Sequence, residues 1–179
     1  MNSSLSGDQL TAIHTLLDSV ADRQRADFGG IVSDVKPDGT LITACDRWSD
    51  TALVDGIASI SPGEGVLSEE GAKSVPTTQA YWVIDPLDGT KDFIQGTGNY
   101  AMHLALNFKQ KPYIGFVLIP PKNQLWITDG KKTWCEKRDG TKYKPNLLKI
   151  KNLQEMTLVT SKNHGNEILR NLIQKINFR

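Results

Sequence analysis

Apolar positions recur at helical spacing near the front of the chain. In SGDQLTAIHTLLDSVADRQ, residues Leu10, Ile13, Leu17 and Val20 fall on one face, and Ser6 and Gln9 stand at capping-box spacing, so an amphipathic helix is predicted from Ser6. A polar connection follows. The stretch TLITACD then reads as a strand ending at Asp46, and RWSDTALVDGIASI returns to helical spacing through Trp48, Leu53, Ile57 and Ile60.

Beyond the turn SPGEG the pattern changes to period two. GVLSEE and YWVID read as strands, and in YAMHLALNF the residues Met102, Leu104, Leu106 and Phe108 alternate with Ala101, His103, Ala105 and Asn107. YIGFVLIP pairs with that strand through the KQKP turn. LWITDG and TWCEKR are further strands, and Asp139-Gly140 is a hairpin signal. Near the end MTLVTSKNH reads as a strand and NEILRNLIQKI as a helix with Ile168, Leu169, Leu172, Ile173 and Ile176 on its apolar side. The predicted fold is α+β: a layered sandwich of a largely antiparallel sheet with flanking helices. The expected division is a domain over residues 1–152 and, over 153–179, the start of an incomplete second α/β domain.

At 179 residues, with 39% hydrophobic and 23% charged residues, the composition is that of a globular protein and argues against disorder. The longest apolar runs have the length of strands, which argues against a membrane span. Charge is segregated. Residues 1–130 carry 9 lysines and arginines against 16 acidic residues, and residues 131–179 carry 12 against 4. An acidic region suits a cation and a basic one an anionic ligand, and for the basic stretch a solvated face is the preferred reading. Cys45 and Cys135 lack metal-site spacing and read as reduced core thiols, which places the chain in the cytoplasm.

The candidate chemistry is carboxylate chemistry. Asp46 after LITAC, Glu69-Glu70 after VLS, and Asp85 with Asp88 after WVI each follow an apolar strand, and strand ends on one sheet edge converge in space. Converging carboxylates repel and raise one another's pKa unless a cation lies between them. The candidate ligands are all oxygens, so that cation should be hard, Mg²⁺ rather than Zn²⁺. Asp85 precedes Pro86 and is biased to extended geometry, Gly89 permits close backbone approach, and Thr90 opens the next turn, where N–H groups can take a phosphate. Asp-Pro and Asp-Gly are also ordinary turn dipeptides.

The run WVIDPLDGT, preceded in order by GTLITACD and VLSEE, resembles the hallmark motifs of the inositol monophosphatase superfamily of Mg²⁺-dependent, lithium-sensitive phosphatases. Within it, DGTKDF, NYAMHLAL and LVTSKNH resemble the 3'(2'),5'-bisphosphate nucleotidase branch, whose members convert 3'-phosphoadenosine 5'-phosphate to AMP and serve sulfur metabolism. The resemblance implies a first metal site on Glu69, Asp85 and the Leu87 carbonyl, and a second on Asp85 and Asp88, for two or more Mg²⁺ ions. It implies that Thr90, held by Asp46, orients the attacking water with Glu69 beside it. Gly89 and Thr90 would receive the phosphate, and Lys36 and His164 would approach the substrate. Lys36 and Asp38 sit in VKPDGT, which also reads as a surface turn; His14 and His103 read as structural.

The partner implied is a small phosphorylated substrate, with no nucleic-acid polymer and no membrane, and with a homodimer left open. Three alternatives accompany this reading. One is an inositol or other sugar-phosphate phosphatase of the same superfamily. Another is a family member that binds metal or phosphate without turnover, since the Trp-Asp motif of the family's second half is absent here. The last is a phosphatase of the haloacid-dehalogenase type, which spaces its aspartates two apart where this chain spaces them three apart.

Overall fold

The computed structural model describes residues 5–71, 74–146, 149, 152, 155–157, 159 and 167–176. The chain divides into two compact units, Met1–Pro145 and Asn146–Arg179; the sequence places the boundary at 152/153. In the second unit the described element is helix α4, Glu167–Ile176. The expected strand MTLVTSKNH falls largely outside the described residues.

Helix α1, Gly7–Asp27, starts where the sequence predicts. The Ser6 hydroxyl accepts from the Gln9 amide at 3.1 Å and the Gln9 side chain accepts from the Ser6 amide at 3.0 Å, closing the capping box. A hairpin follows, β1 (Ser33–Val35) antiparallel to β2 (Leu41–Thr43), turning through Lys36–Thr40. Helix α2, Ala44–Ile60, begins at once. The strand expected to end at Asp46 therefore stops at Thr43. Thr43 is the N-cap of α2, and Asp46 is the third helical residue, its carboxylate accepting from the Thr43 amide at 2.8 Å. A T-x-x-D capping box is legible there, and the β-branched run before it conceals it.

The main sheet has seven strands in sequential order: β3 (Gly65–Ser68), β4 (Ala80–Asp88), β5 (Ala101–Phe108), β6 (Lys111–Ile119), β7 (Gln124–Thr128), β8 (Thr133–Lys137) and β9 (Lys142–Tyr143). β3 runs parallel to β4, and every other neighbouring pair is antiparallel. The short helix α3, Thr90–Ile94, joins β4 to β5.

The period-two pattern decides which face of the sheet is covered. Trp82 and Ile84 of β4, Met102, Leu104 and Leu106 of β5, Phe116 and Leu118 of β6, and Ile127 of β7 meet Ile13, Leu17 and Val20 of α1 and Leu53 and Ile57 of α2 in one core. Each such fully buried side chain contributes about 1.5–3 kcal/mol. A second cluster, Cys45, Leu87, Phe93 and Tyr100 with Phe28 and Trp48 against it, lies beneath the turn between β4 and α3. The rings of Phe28, Phe93 and Tyr100 are mutually 4.9–5.7 Å apart, which anchors that turn. Both cysteines are buried free thiols, as expected, and burial pushes the Cys45 thiol up to about 12.

Candidate active site

The parallel pairing of β3 with β4 brings two acidic segments together. Ser68 lies opposite Ile84, so the next residue on each strand is Glu69 and Asp85, and the Glu69 amide donates to the Ile84 carbonyl at 3.0 Å. Parallel strands end on the same side of a sheet, which is why two segments separated by a long loop converge. Burial, followed by the charge and hydrogen bond of Glu69 and the charge of Asp88, pushes the Asp85 carboxyl up to about 7.

A bulge then sets the relation of Asp85 to Asp88. On β5 their partners are His103 and Ala101, so three steps along β4 match two along β5. In a regular strand a three-residue spacing would place the two aspartates on opposite faces; the extra residue rephases the alternation. Pro86, which has no N–H to give the ladder, sits within the bulge. The Leu87 amide turns inward and donates to Asp85 Oδ1 at 3.2 Å.

Asp46 reaches the same place from α2. Its Oδ2 serves the Thr43 cap, while Oδ1 accepts from the Thr90 hydroxyl at 2.8 Å. The Leu87 carbonyl lies 3.2 Å from the same hydroxyl, so the shorter bond to Asp46 takes the single proton and leaves the Thr90 lone pairs directed elsewhere. Asp46 is 1% exposed, and its two hydrogen-bonding oxygens are what make that burial tolerable. Gly89, between Asp88 and Thr90, has φ 91°, and a Cβ there would come 2.5 Å from the Asn99 carbonyl oxygen. Only glycine fits that turn.

Lys36 comes from the β1–β2 hairpin, whose turn is closed by the Lys36 amide on the Thr40 carbonyl and by Asp38 on the Thr40 amide and hydroxyl. Its ammonium is 2.6 Å from Glu70 and 3.7 Å from Glu69. Burial would lower the Lys36 pKa, but the hydrogen bond that Lys36 donates to Glu70 and the charges of Glu70, Glu69 and Asp46 outweigh it and hold the pKa above its ordinary value. Asp88 is the most exposed of the acids, and the His103 Nε2 stands 3.7 Å from it.

The oxygens gathered here suit a hard cation. Among the described residues no three side chains of His, Cys, Asp and Glu are grouped to hold a metal by themselves. What fits is smaller: the adjoining Glu69 and Asp85 carboxylates, whose burial and mutual charge show in the raised Asp85 pKa, supplemented by the Leu87 carbonyl. Mg²⁺ accepts such a set, because it is held by one or two carboxylates and keeps several waters.

Of the residues singled out by sequence, Lys36, Asp46, Glu69, Asp85, Leu87, Asp88, Gly89 and Thr90 fall on the segments joined by these contacts. His164 lies outside the described residues. His103 reads as structural in the sequence, yet it stands beside Asp88, and its place opposite Asp85 follows from the β4–β5 register. Sequence reasoning also misses three supporting groups: Asp50, which accepts from the Ser68 hydroxyl, and Gln24 with Ser49, which bond one another. A shallow cavity of about 170 Å³ between α1 and the β7–β9 region, lined in part by His14, Arg25, Glu136 and Arg138, contains none of the candidate site residues. No helix among the described residues is long and apolar enough to cross a membrane.

Known proteins resemble this chain in sequence and in fold. The family model described as "Inositol monophosphatase family" matches residues 8–178. The chain is 32% identical over 144 residues to a 3'(2'),5'-bisphosphate nucleotidase CysQ of Shigella flexneri, covering 79% of this chain and 57% of that protein. It is 30% identical over 154 residues to a histidinol-phosphatase of Mycobacterium tuberculosis, covering 85% and 58%. In fold it is similar to the IMPase of Thermotoga maritima, with a TM-score of 0.75 at 22% identity, covering 95% of this chain and 65% of that one. The chain thus spans less than two thirds of the length of each of these relatives.

Proposed function

The chain belongs to the inositol monophosphatase family, and on that premise we propose that it carries the metal- and phosphate-handling side of a Mg²⁺-dependent phosphomonoester hydrolase. The observation that supports this most is the convergence of three separate segments: Glu69 beside Asp85, and Thr90 on Asp46 at 2.8 Å. Glu69, Asp85 and the Leu87 carbonyl would hold one Mg²⁺, and Asp85 with Asp88 a second; bound there, the metal would supply charge for the phosphoryl oxygens and acidify water.

The residues themselves do the positioning. Asp46 accepts the hydrogen bond of the Thr90 hydroxyl, so the Thr90 oxygen is left to accept a hydrogen bond from the attacking water and orient it. Glu69, beside Asp85, would take up the water's second hydrogen bond. The Gly89 and Thr90 amides would receive the phosphoryl group. Attack forms a new P–O bond as the water gives one proton to the Glu69 carboxylate, which returns it to solvent; the bond from phosphorus to the ester oxygen breaks, and the leaving oxygen gains a proton from solvent. Lys36, held by Glu70, adds positive charge at the rim.

For substrate we infer 3'-phosphoadenosine 5'-phosphate, converted to AMP and phosphate; the supporting features are DGTKDF and the similarity to bisphosphate nucleotidases. Buried, reduced thiols accord with a cytoplasmic setting for that reaction, and lithium inhibition accompanies the reading. The similarity to a histidinol-phosphatase supports histidinol phosphate as the second candidate. Phosphate release by the chain should be measured with both esters and with inositol 1-phosphate, with and without Mg²⁺. A higher kcat/KM for the nucleotide supports the first reading; preference for another ester moves the chain to that branch, and no Mg²⁺-dependent release from any of them overturns hydrolysis by this chain.

A further inference from the structure

α1 presents one polar side chain to the core. Among Ile13, Leu17, Val20 and Ala21, Gln24 is 0% exposed. A primary amide in such a place is costly unless its polar atoms are used; here both hydrogens are, while Oε1 has no hydrogen-bond partner among the described residues. Nε2 donates to the Pro86 carbonyl at 2.9 Å and to the Ser49 hydroxyl at 3.0 Å.

The Pro86 carbonyl is the informative partner. It belongs to the same planar peptide as the Leu87 N–H, and that N–H donates to Asp85 Oδ1. One rigid plane is therefore gripped at both ends, by Gln24 on the oxygen and by the Asp85 carboxylate on the hydrogen. The sheet does not supply this grip. The β4–β5 register passes from Asp85 opposite His103 to Asp88 opposite Ala101, leaving Pro86 and Leu87 without a paired residue on β5. Inside the bulge, the Gln24 amide does what a ladder hydrogen bond does elsewhere.

Helix α2 completes the frame. Asp46, Ser49 and Asp50 are spaced i, i+3, i+4 on one helical face. They bind Thr90, Gln24 and the Ser68 hydroxyl respectively, so the elements carrying Thr90, Asp85 and Glu69 are referenced to one helix.

We propose that Gln24 is a positioning residue for Asp85: by holding the Pro86–Leu87 peptide, it fixes the direction in which the Asp85 carboxylate is presented. The role in catalysis rests on the hydrolase reading above; the geometry does not. Gln24→Met conserves length and volume and removes the donors. In the metal-free full chain it should speed hydrogen exchange of the Leu87 amide about tenfold, the effect of losing one net hydrogen bond. Exchange at Trp82 and Leu104 in the ladder should stay unchanged.

Calorimetry should show Mg²⁺ binding weakened by a similar factor, and activity should require more Mg²⁺ with a smaller change in kcat. A residue that merely packs would move none of these selectively. Ser49→Ala, which is nearly isosteric, should give a smaller increase at Leu87, and it decides the matter if Gln24→Met does not fold. Leu87 exchange unchanged in the folded variants overturns the proposal. If Leu87 responds in a chain that hydrolyses no ester, the positioning geometry is supported and the hydrolase reading is overturned; a hydrolytic chain without the Leu87 response supports hydrolysis and overturns the positioning role.

Discussion

Glu69 and Asp85 are neighbours because β3 and β4 run parallel in register, and the consequence is a carboxyl at Asp85 held up at about 7 by burial and by Glu69. Two acids so placed destabilise the metal-free fold and favour a cation. Asp85→Asn should therefore raise the melting temperature of the metal-free chain at pH 8 while abolishing Mg²⁺-dependent phosphate release. Thermal denaturation and a phosphate assay check the two halves, and retention of most of the activity would remove Asp85 from the metal site.

Thr90→Ala removes the hydroxyl held by Asp46 but touches neither Glu69 nor Asp85. Metal binding should persist, and kcat should fall by about 10²-fold, the cost of a misplaced nucleophile. Thr90→Ser keeps the oxygen and should recover most of the loss. An unchanged kcat in the alanine variant would exclude Thr90 from the mechanism.

Gly89→Ala meets two obstacles together, a left-handed backbone and a carbonyl oxygen 2.5 Å from the new methyl. The turn must open, disturbing Thr90 and the aromatic cluster under it. The expected cost is about 1–3 kcal/mol, read as a lower denaturation midpoint in urea together with loss of phosphate release. A fully stable and active variant would show that the turn can relax.

Asp22 joins α1 to the turn after β8. Arg138 grips it at both carboxylate oxygens and Arg25 at one, and these hydrogen bonds hold its carboxyl well below the usual carboxylate range. A depressed folded pKa means that the stabilisation is present above about pH 4 and is lost as pH falls toward the folded value. The site is half exposed, so the effect is modest. Asp22→Asn should melt a few degrees below the parent chain at pH 7, with the gap narrowing steadily below pH 4 and narrowing also in high salt. A gap independent of pH would assign the loss to packing.

The elements of the fold were legible wherever one face of a segment was buried. Leu10, Ile13, Leu17 and Val20 marked α1, and the alternation from Met102 to Phe108 marked β5, because burial on one side imposes the period of the element on the sequence. Legibility ended where a local bond outweighed burial. Thr43 and Asp46 form a cap within an apolar run, and Lys36 to Thr40 form a hairpin turn whose strands are only three residues long.

For the site, residue types and spacing pointed to the carboxylates Asp46, Glu69, Glu70, Asp85 and Asp88 as candidate oxygen donors, while the Leu87 carbonyl came only from the family resemblance of DPLDGT. The contacts between segments belong to the tertiary structure. The parallel register that sets Glu69 against Asp85, the bulge that rephases Asp85 and Asp88, and the reach of Gln24 across 62 residues to Pro86 depend on which strands pair and which helix covers them. Those choices follow from packing the whole core, and a hydrogen bond between distant segments leaves no periodic trace along the chain.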